Sequence, residues 1–166
     1  MSFQNMLDVI PKELQSDIIE MDTFLKSLRP LKFKRTVDKR KINYVSSDYG
    51  VSYAILPLDT DPAQHFGWYY LNDKVTKTWY RKTDYLIETL EAIEGNDQQS
   101  AQRIFDGINE CKICKGKPCS AISYVYKGVE KLACYGRVVI RLESDDFDDT
   151  KNFFRQLNLL VESKSE

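Results

Sequence analysis

Between Lys32 and Tyr80 the chain has room for strands but none for helical crossovers, and this restricts the fold more than any other feature of the sequence. The stretch is rich in β-branched and aromatic residues and is broken by turn-forming clusters at Ser46-Ser47-Asp48, Asp59 to Pro62 and Asn72-Asp73. Strands are expected near 33–37, 41–46, 51–57, 65–71 and 75–80. Parallel neighbours need a connection of a dozen or more residues, so these strands must form an antiparallel meander.

Helical periodicity frames this block. Leu14, Ile18, Met21, Leu25 and Leu28 recur at spacings of four and three, which predicts a helix from Pro11 to Arg29 with one apolar stripe. Pro11 suits a helix start, and Pro30 forces Arg29 out of helical geometry. The stripe can pack into the core, and the same spacing also satisfies a short heptad seam for a homodimer through helix 11–29.

Two more helices are expected after the meander, one capped by Thr83 and running to Glu94, the other capped by Asp97 and carrying Ala101, Ile104, Phe105 and Ile108. Strands near 121–127, 129–135 and 137–142 come next. A last helix then carries Phe147, Phe154, Leu157 and Val161 on one face, with Glu162–Glu166 fraying. Strands segregated from helices in this way predict an α+β fold: antiparallel sheet with flanking helices, and a cysteine-rich knuckle before a C-terminal β-hairpin and helix. At 166 residues one compact domain over 1–166 is the expectation, and a division into two lobes near 95–110 is the alternative.

The strongest chemical signal is the cysteine cluster. All four cysteines, Cys111, Cys114, Cys119 and Cys134, fall within a 24-residue window as C-x2-C-x4-C-x14-C. A CxxC turn followed by a glycine, here Gly116, can aim two thiolates at one ion, and Lys112, Lys115 and Lys117 offset the charge of a tetrathiolate. If Lys127-Gly128 is a two-residue turn, Ala121 faces Cys134 and Cys119 lies on the same sheet face. The four together are the candidate ligands of a zinc ion. With four thiolates the ion has no open position for water, so it organises structure rather than performing hydrolysis. The competing readings are reduced thiols buried as small hydrophobes, and a thiol redox protein using Cys111 and Cys114.

Three further groups are candidates for binding. Seven aromatics crowd 66–85, and alternation sends Phe66, Trp68 and Tyr70 to one face of their strand and Tyr69 to the other. Trp68, Tyr70, Trp79 and His65 are the expected lining of a site for a small molecule or protein partner, with core packing as the plainer account. Lys34, Arg35, Lys39 and Arg40 belong to a run of six cations in ten residues, 32–41. That run reads as an anion site, as a stripe for nucleic acid, or as lysine protection of a sheet edge. The acidic cluster Glu143 to Asp149 has a structural explanation at the start of the last helix.

Several function classes are excluded. One histidine, His65, cannot build an HExxH site, and the glycines form neither GxGxxG nor GxxxxGK[ST]. No GxSxG elbow occurs. A net charge of −1 argues against a wholesale nucleic-acid coat. With no leader-like N-terminus and no apolar run of ~20 residues, the expectation is a cytoplasmic, non-catalytic protein that does not enter the membrane.

Overall fold

The structure is a computed structural model that describes residues 1–58, 63–69, 85–111, 121–133, 137–143 and 147–164. In chain order the described elements are α1 (Phe3–Leu7), α2 (Lys12–Ser27), β1 (Lys34–Val37), β2 (Ile42–Ser46), β3 (Val51–Leu56), β4 (Ala63–Tyr69), α3 (Tyr85–Glu94), α4 (Gln98–Asp106), β5 (Ile122–Tyr126), β6 (Val129–Ala133), β7 (Arg137–Glu143) and α5 (Phe147–Lys164). The fold is α+β. A five-stranded antiparallel sheet has the order β1-β2-β3-β4-β7, and β5-β6 forms a separate hairpin. The strand expected near 75–80 and the Thr83 cap lie outside the described residues.

Helix α2 follows its periodicity. Ile18, Met21, Leu25 and Leu28 are buried in the chain's own core, and Leu14 packs against it half-buried. Full burial of such side chains contributes about 1.5–3 kcal/mol each. The stripe is therefore spent within the chain's own core. Pro11 is the N-cap rather than the first helical residue, and the helix stops at Ser27 because Leu28 is already extended at ψ 131°. The short α1, which no periodicity announces, is capped by Ser2 accepting from the Asn5 N–H at 3.0 Å and anchored by buried Met6 and Leu7.

Strict alternation in β2 and β3 turns Ile42, Tyr44, Tyr53 and Ile55 inward. Helix α5 lies over that face. Phe154 meets Tyr53 at 5.6 Å and Phe33 at 5.2 Å, both edge-on, the geometry that ring quadrupoles favour. One buried polar group also joins sheet to helix: the Gln64 carbonyl oxygen accepts from the Tyr53 hydroxyl at 2.6 Å and the Thr150 hydroxyl at 2.8 Å. Helix α5 runs to Lys164, past the expected fraying point. Its last turn is held by Lys164, which pairs with Glu88 at 2.8 Å and sits 4.2 Å from the Tyr85 ring centre.

Candidate functional site

The β5-β6 hairpin has the register expected of a two-residue turn at Lys127-Gly128. Lys127 and Gly128 both take positive φ, 50° and 77°, which makes the turn a two-residue type I′. Tyr126 pairs with Val129 and Ile122 with Ala133, as expected of that turn. Tyr124 and Tyr126 face inward, and the Tyr126 ring lies 5.2 Å from Phe105. The Tyr126 hydroxyl donates to Glu94 at 2.9 Å; burial first, and then the Glu94 charge, push this phenol up to about 12. Glu94 in turn is held below the usual carboxylate range by Lys127, 2.5 Å away, and by Tyr126.

The segment Gly107–Cys111 joins the two sheets. Its first part pairs with β7: Arg141 N–H donates to the Gly107 carbonyl at 2.9 Å, Asn109 N–H donates to the Val139 carbonyl at 2.8 Å, and Ile108 bridges Ile140. Its last part pairs with β6, where Glu110 bridges Ala133 and Cys111 N–H donates to the Leu132 carbonyl at 2.7 Å. This segment falls where the sequence allowed a division into lobes, and it is bonded on both sides of that point. Cys111 is half-buried as a free thiol. Cys114, Cys119 and Cys134 lie outside the described residues, and among the described residues no three or more His, Cys, Asp or Glu side chains are grouped to hold a metal.

Of the residues expected to line an aromatic site, His65 and Trp68 lie on β4. By register Trp68 pairs with Val51 and Val138, both buried. By register His65 pairs with Ala54 and Arg141. Tyr70 and Trp79 lie outside the described residues. The side that carries His65 is crossed by two rows, Lys34-Val45-Ser52-Gly67-Val139 and Thr36-Asn43-Ala54-His65-Arg141. None of the described side chains in these rows is buried. Lys34, Thr36 and Arg141 are exposed, and Asn43, Val45, Ser52, Ala54 and Val139 are half-buried. Among the described residues this face of the sheet carries no buried side chain, and its middle is built from small residues.

The basic run is divided between the two faces. Alternation along β1 puts Lys34 on this face and Arg35 beneath it, where Arg35 donates to Asp22 at 2.7 Å and stacks 3.9 Å from the Phe3 ring centre. Lys39 and Arg40 lie in the β1–β2 turn, fully exposed, around Asp38, which accepts from the backbone N–H of Arg40 at 3.0 Å and of Lys41 at 3.2 Å. Those bonds, the Arg40 N–H foremost, hold the Asp38 carboxyl below its usual range. β1 is an edge strand, so Lys34 stands where lysines commonly discourage edge-to-edge pairing. Of the acidic run, Asp149 is buried in a two-pronged pair with Arg103, Nε to Oδ2 at 2.6 Å and Nη2 to Oδ1 at 2.9 Å.

Sequence reasoning missed the buried carboxylate Asp22, which accepts from Tyr44 at 2.9 Å as well as from Arg35 and pairs with Lys26 at 2.8 Å. The signal was present: Asp22 falls between Ile18 and Leu25 on the apolar side of α2, where an acid needs a buried partner. No helix among the described residues is long and apolar enough to cross a membrane. Comparison with family models, with curated proteins and with solved structures finds no match to this chain.

Proposed function

We propose that this chain is a non-catalytic cytoplasmic binding module whose C-terminal hairpin is fixed by a structural zinc ion held by Cys111, Cys114, Cys119 and Cys134. One observation supports the metal reading above the others. Cys111 is hydrogen-bonded to Leu132, two residues before Cys134, and Ile122, three residues after Cys119, pairs with Ala133. The chain therefore enters the first cysteine-bearing stretch along one edge of β6 and leaves it along the other, both beside Ala133. Thiolates kept reduced in the cytoplasm would then meet across a short span, and metal binding would supply the order that a polar loop lacks of itself. Elemental analysis of untagged protein is the test. One zinc per chain, lost on Cys→Ser substitution at any of the four positions, is expected; a wild-type chain that carries no zinc and takes none up rules the site out.

Binding of a small molecule or protein partner is assigned to the sheet, on the face that carries His65 and Arg141. The support is that none of the described side chains in its two rows is buried. Mass spectrometry of purified wild type is expected to find a co-purifying small molecule or protein, and an Ala54→Trp substitution, which fills the middle of this face, to abolish its recovery while the melting temperature is retained. Unchanged recovery would place binding elsewhere. The nucleic-acid reading has less support, because Arg35 is engaged by Asp22 and the remaining cations sit along an edge and a turn.

A further inference from the structure

Strand β1 ends the five-stranded sheet and, among the described residues, pairs on one side only, with β2. The Asp38 N–H donates to the Lys41 carbonyl at 3.1 Å, which fixes the phase of that ladder. Bonded and non-bonded pairs alternate from this rung. Thr36–Asn43 and Lys34–Val45 therefore exchange bonds, whereas Arg35 and Val37 turn their N–H and C=O groups outward. Among the described residues no backbone group meets those outward donors and acceptors.

The side chains divide by the same parity. Lys34 and Thr36 are exposed on one face, and Lys39 and Arg40 extend the positive charge into the turn. Asp38, the one acid of the run, is taken up by the Arg40 and Lys41 N–H groups and by the Lys41 ammonium at 3.8 Å. On the other face Arg35 is already neutralised by Asp22 at 2.7 Å, and Val37 is apolar and half-buried. A strand laid along this edge meets cations on one face and neutral surface on the other.

We propose that the free edge of β1 receives an extended acidic peptide as a sixth strand, one in which acids alternate with apolar residues. This goes beyond the sheet-face reading above, because the partner is held at the edge by main-chain bonds. Alternation follows from the pleat: carboxylates fall beside Lys34, and the residues between them cover Val37 and the stem of Arg35. With only four residues in β1 the main-chain contact is short, so charge decides which strand is accepted. The same charges reject a second copy of this edge, since pairing two of them sets cation against cation.

The test is fluorescence anisotropy of a labelled, end-blocked peptide of alternating valine and glutamate. Wild type is expected to bind it. Binding at least about tenfold weaker is expected for Lys34→Glu, and for a peptide of the same sequence with every amide methylated, which keeps the charge but cannot donate to the edge. Val37→Pro should weaken binding in the same way and still fold, because the N–H it removes points outward. Ala54→Trp, in the middle of the sheet face, should bind the peptide as wild type does. Equal binding of the methylated peptide reduces the contact to charge and overturns the proposal. Loss of binding in Ala54→Trp with none in Lys34→Glu moves the peptide to the sheet face and overturns it too. A wild type that ignores the peptide but binds labelled oligothymidylate assigns the run to nucleic acid, and the proposal fails. Should Val37→Pro not fold, Lys34→Glu and the methylated peptide decide.

Discussion

Tyr44 and Asp22 meet at 2.9 Å beneath the sheet, the phenol donating to a carboxylate that Arg35 and Lys26 also reach. Burial alone would raise the Asp22 pKa; the hydrogen bonds from Lys26, Tyr44 and Arg35 together outweigh it and leave the pKa lowered. The same contact, with burial the larger cause, pushes the Tyr44 phenol up. Because the folded state depresses the Asp22 pKa, its stabilisation is complete above the unfolded value of about 3.9 and is lost as pH falls through the folded one. Asp22→Ala is expected to cost about 3 kcal/mol at neutral pH, since it leaves a buried hydroxyl and a guanidinium without their acceptor. Urea titrations at pH 7 and pH 3 should show the gap between wild type and variant narrowing in acid; a gap that widens refutes the assignment.

Lys34 offers the contrast, one residue away on the opposite face. Lys34→Ala should change stability by less than about 0.5 kcal/mol, whereas Arg35→Ala should approach the loss caused by removing Asp22. A double-mutant cycle between positions 22 and 35 measures this directly. Additive losses would mean that the two side chains do not interact.

Arg103 and Asp149 predict a charge effect with a geometric component. Asp149 is almost fully buried and takes both of its described bonds from one guanidinium. Arg103→Met is expected to destabilise the chain by about 3 kcal/mol by stranding the carboxylate. Arg103→Lys should recover only part of this, because an ammonium cannot reproduce the parallel pair of bonds. Thermal unfolding of the three proteins is the measurement, and full rescue by lysine would show that charge alone matters.

At the hairpin tip Gly128 sits at φ 77° with open space around an added Cβ, so Gly128→Ala meets backbone strain but no clash. A cost of about 1–2 kcal/mol is expected, confined to the hairpin. Hydrogen exchange should show faster opening of the Ile122–Tyr126 amides with little change in β2 or β3. Uniform acceleration across the molecule would mean that the hairpin opens only with everything else.

The features legible in the sequence were those with a local period. The α2 stripe predicted which of its side chains are buried, the β-branched and aromatic content predicted the β2 and β3 strands, and the Lys127-Gly128 turn predicted the hairpin register. Parity also placed Phe66 and Trp68 on one face, where the register sets them opposite Tyr53 and Val51. What could not be read was contact between distant segments. Nothing local to residues 137–143 says that they pair with β4, and nothing local to Gly107 reports the Arg141 carbonyl against it. Asn158 is another case: it accepts from Leu31 N–H at 3.2 Å and donates to the Arg29 carbonyl at 2.5 Å, fastening a loop nearly the whole chain away. Helix α1 was missed because five residues are too few to show a period.

Pairing of β4 with β7 also orders events in time. The strands β1 to β4 are joined through short connections and can associate as soon as they leave the ribosome, whereas β7 is synthesised only after α3, α4 and the hairpin. Until then the rim of β4 offers unsatisfied amides to any passing strand, and closing so long a loop is slow compared with local pairing. The nascent chain is therefore most vulnerable to aggregation in the interval between the emergence of Tyr69 and that of Arg137.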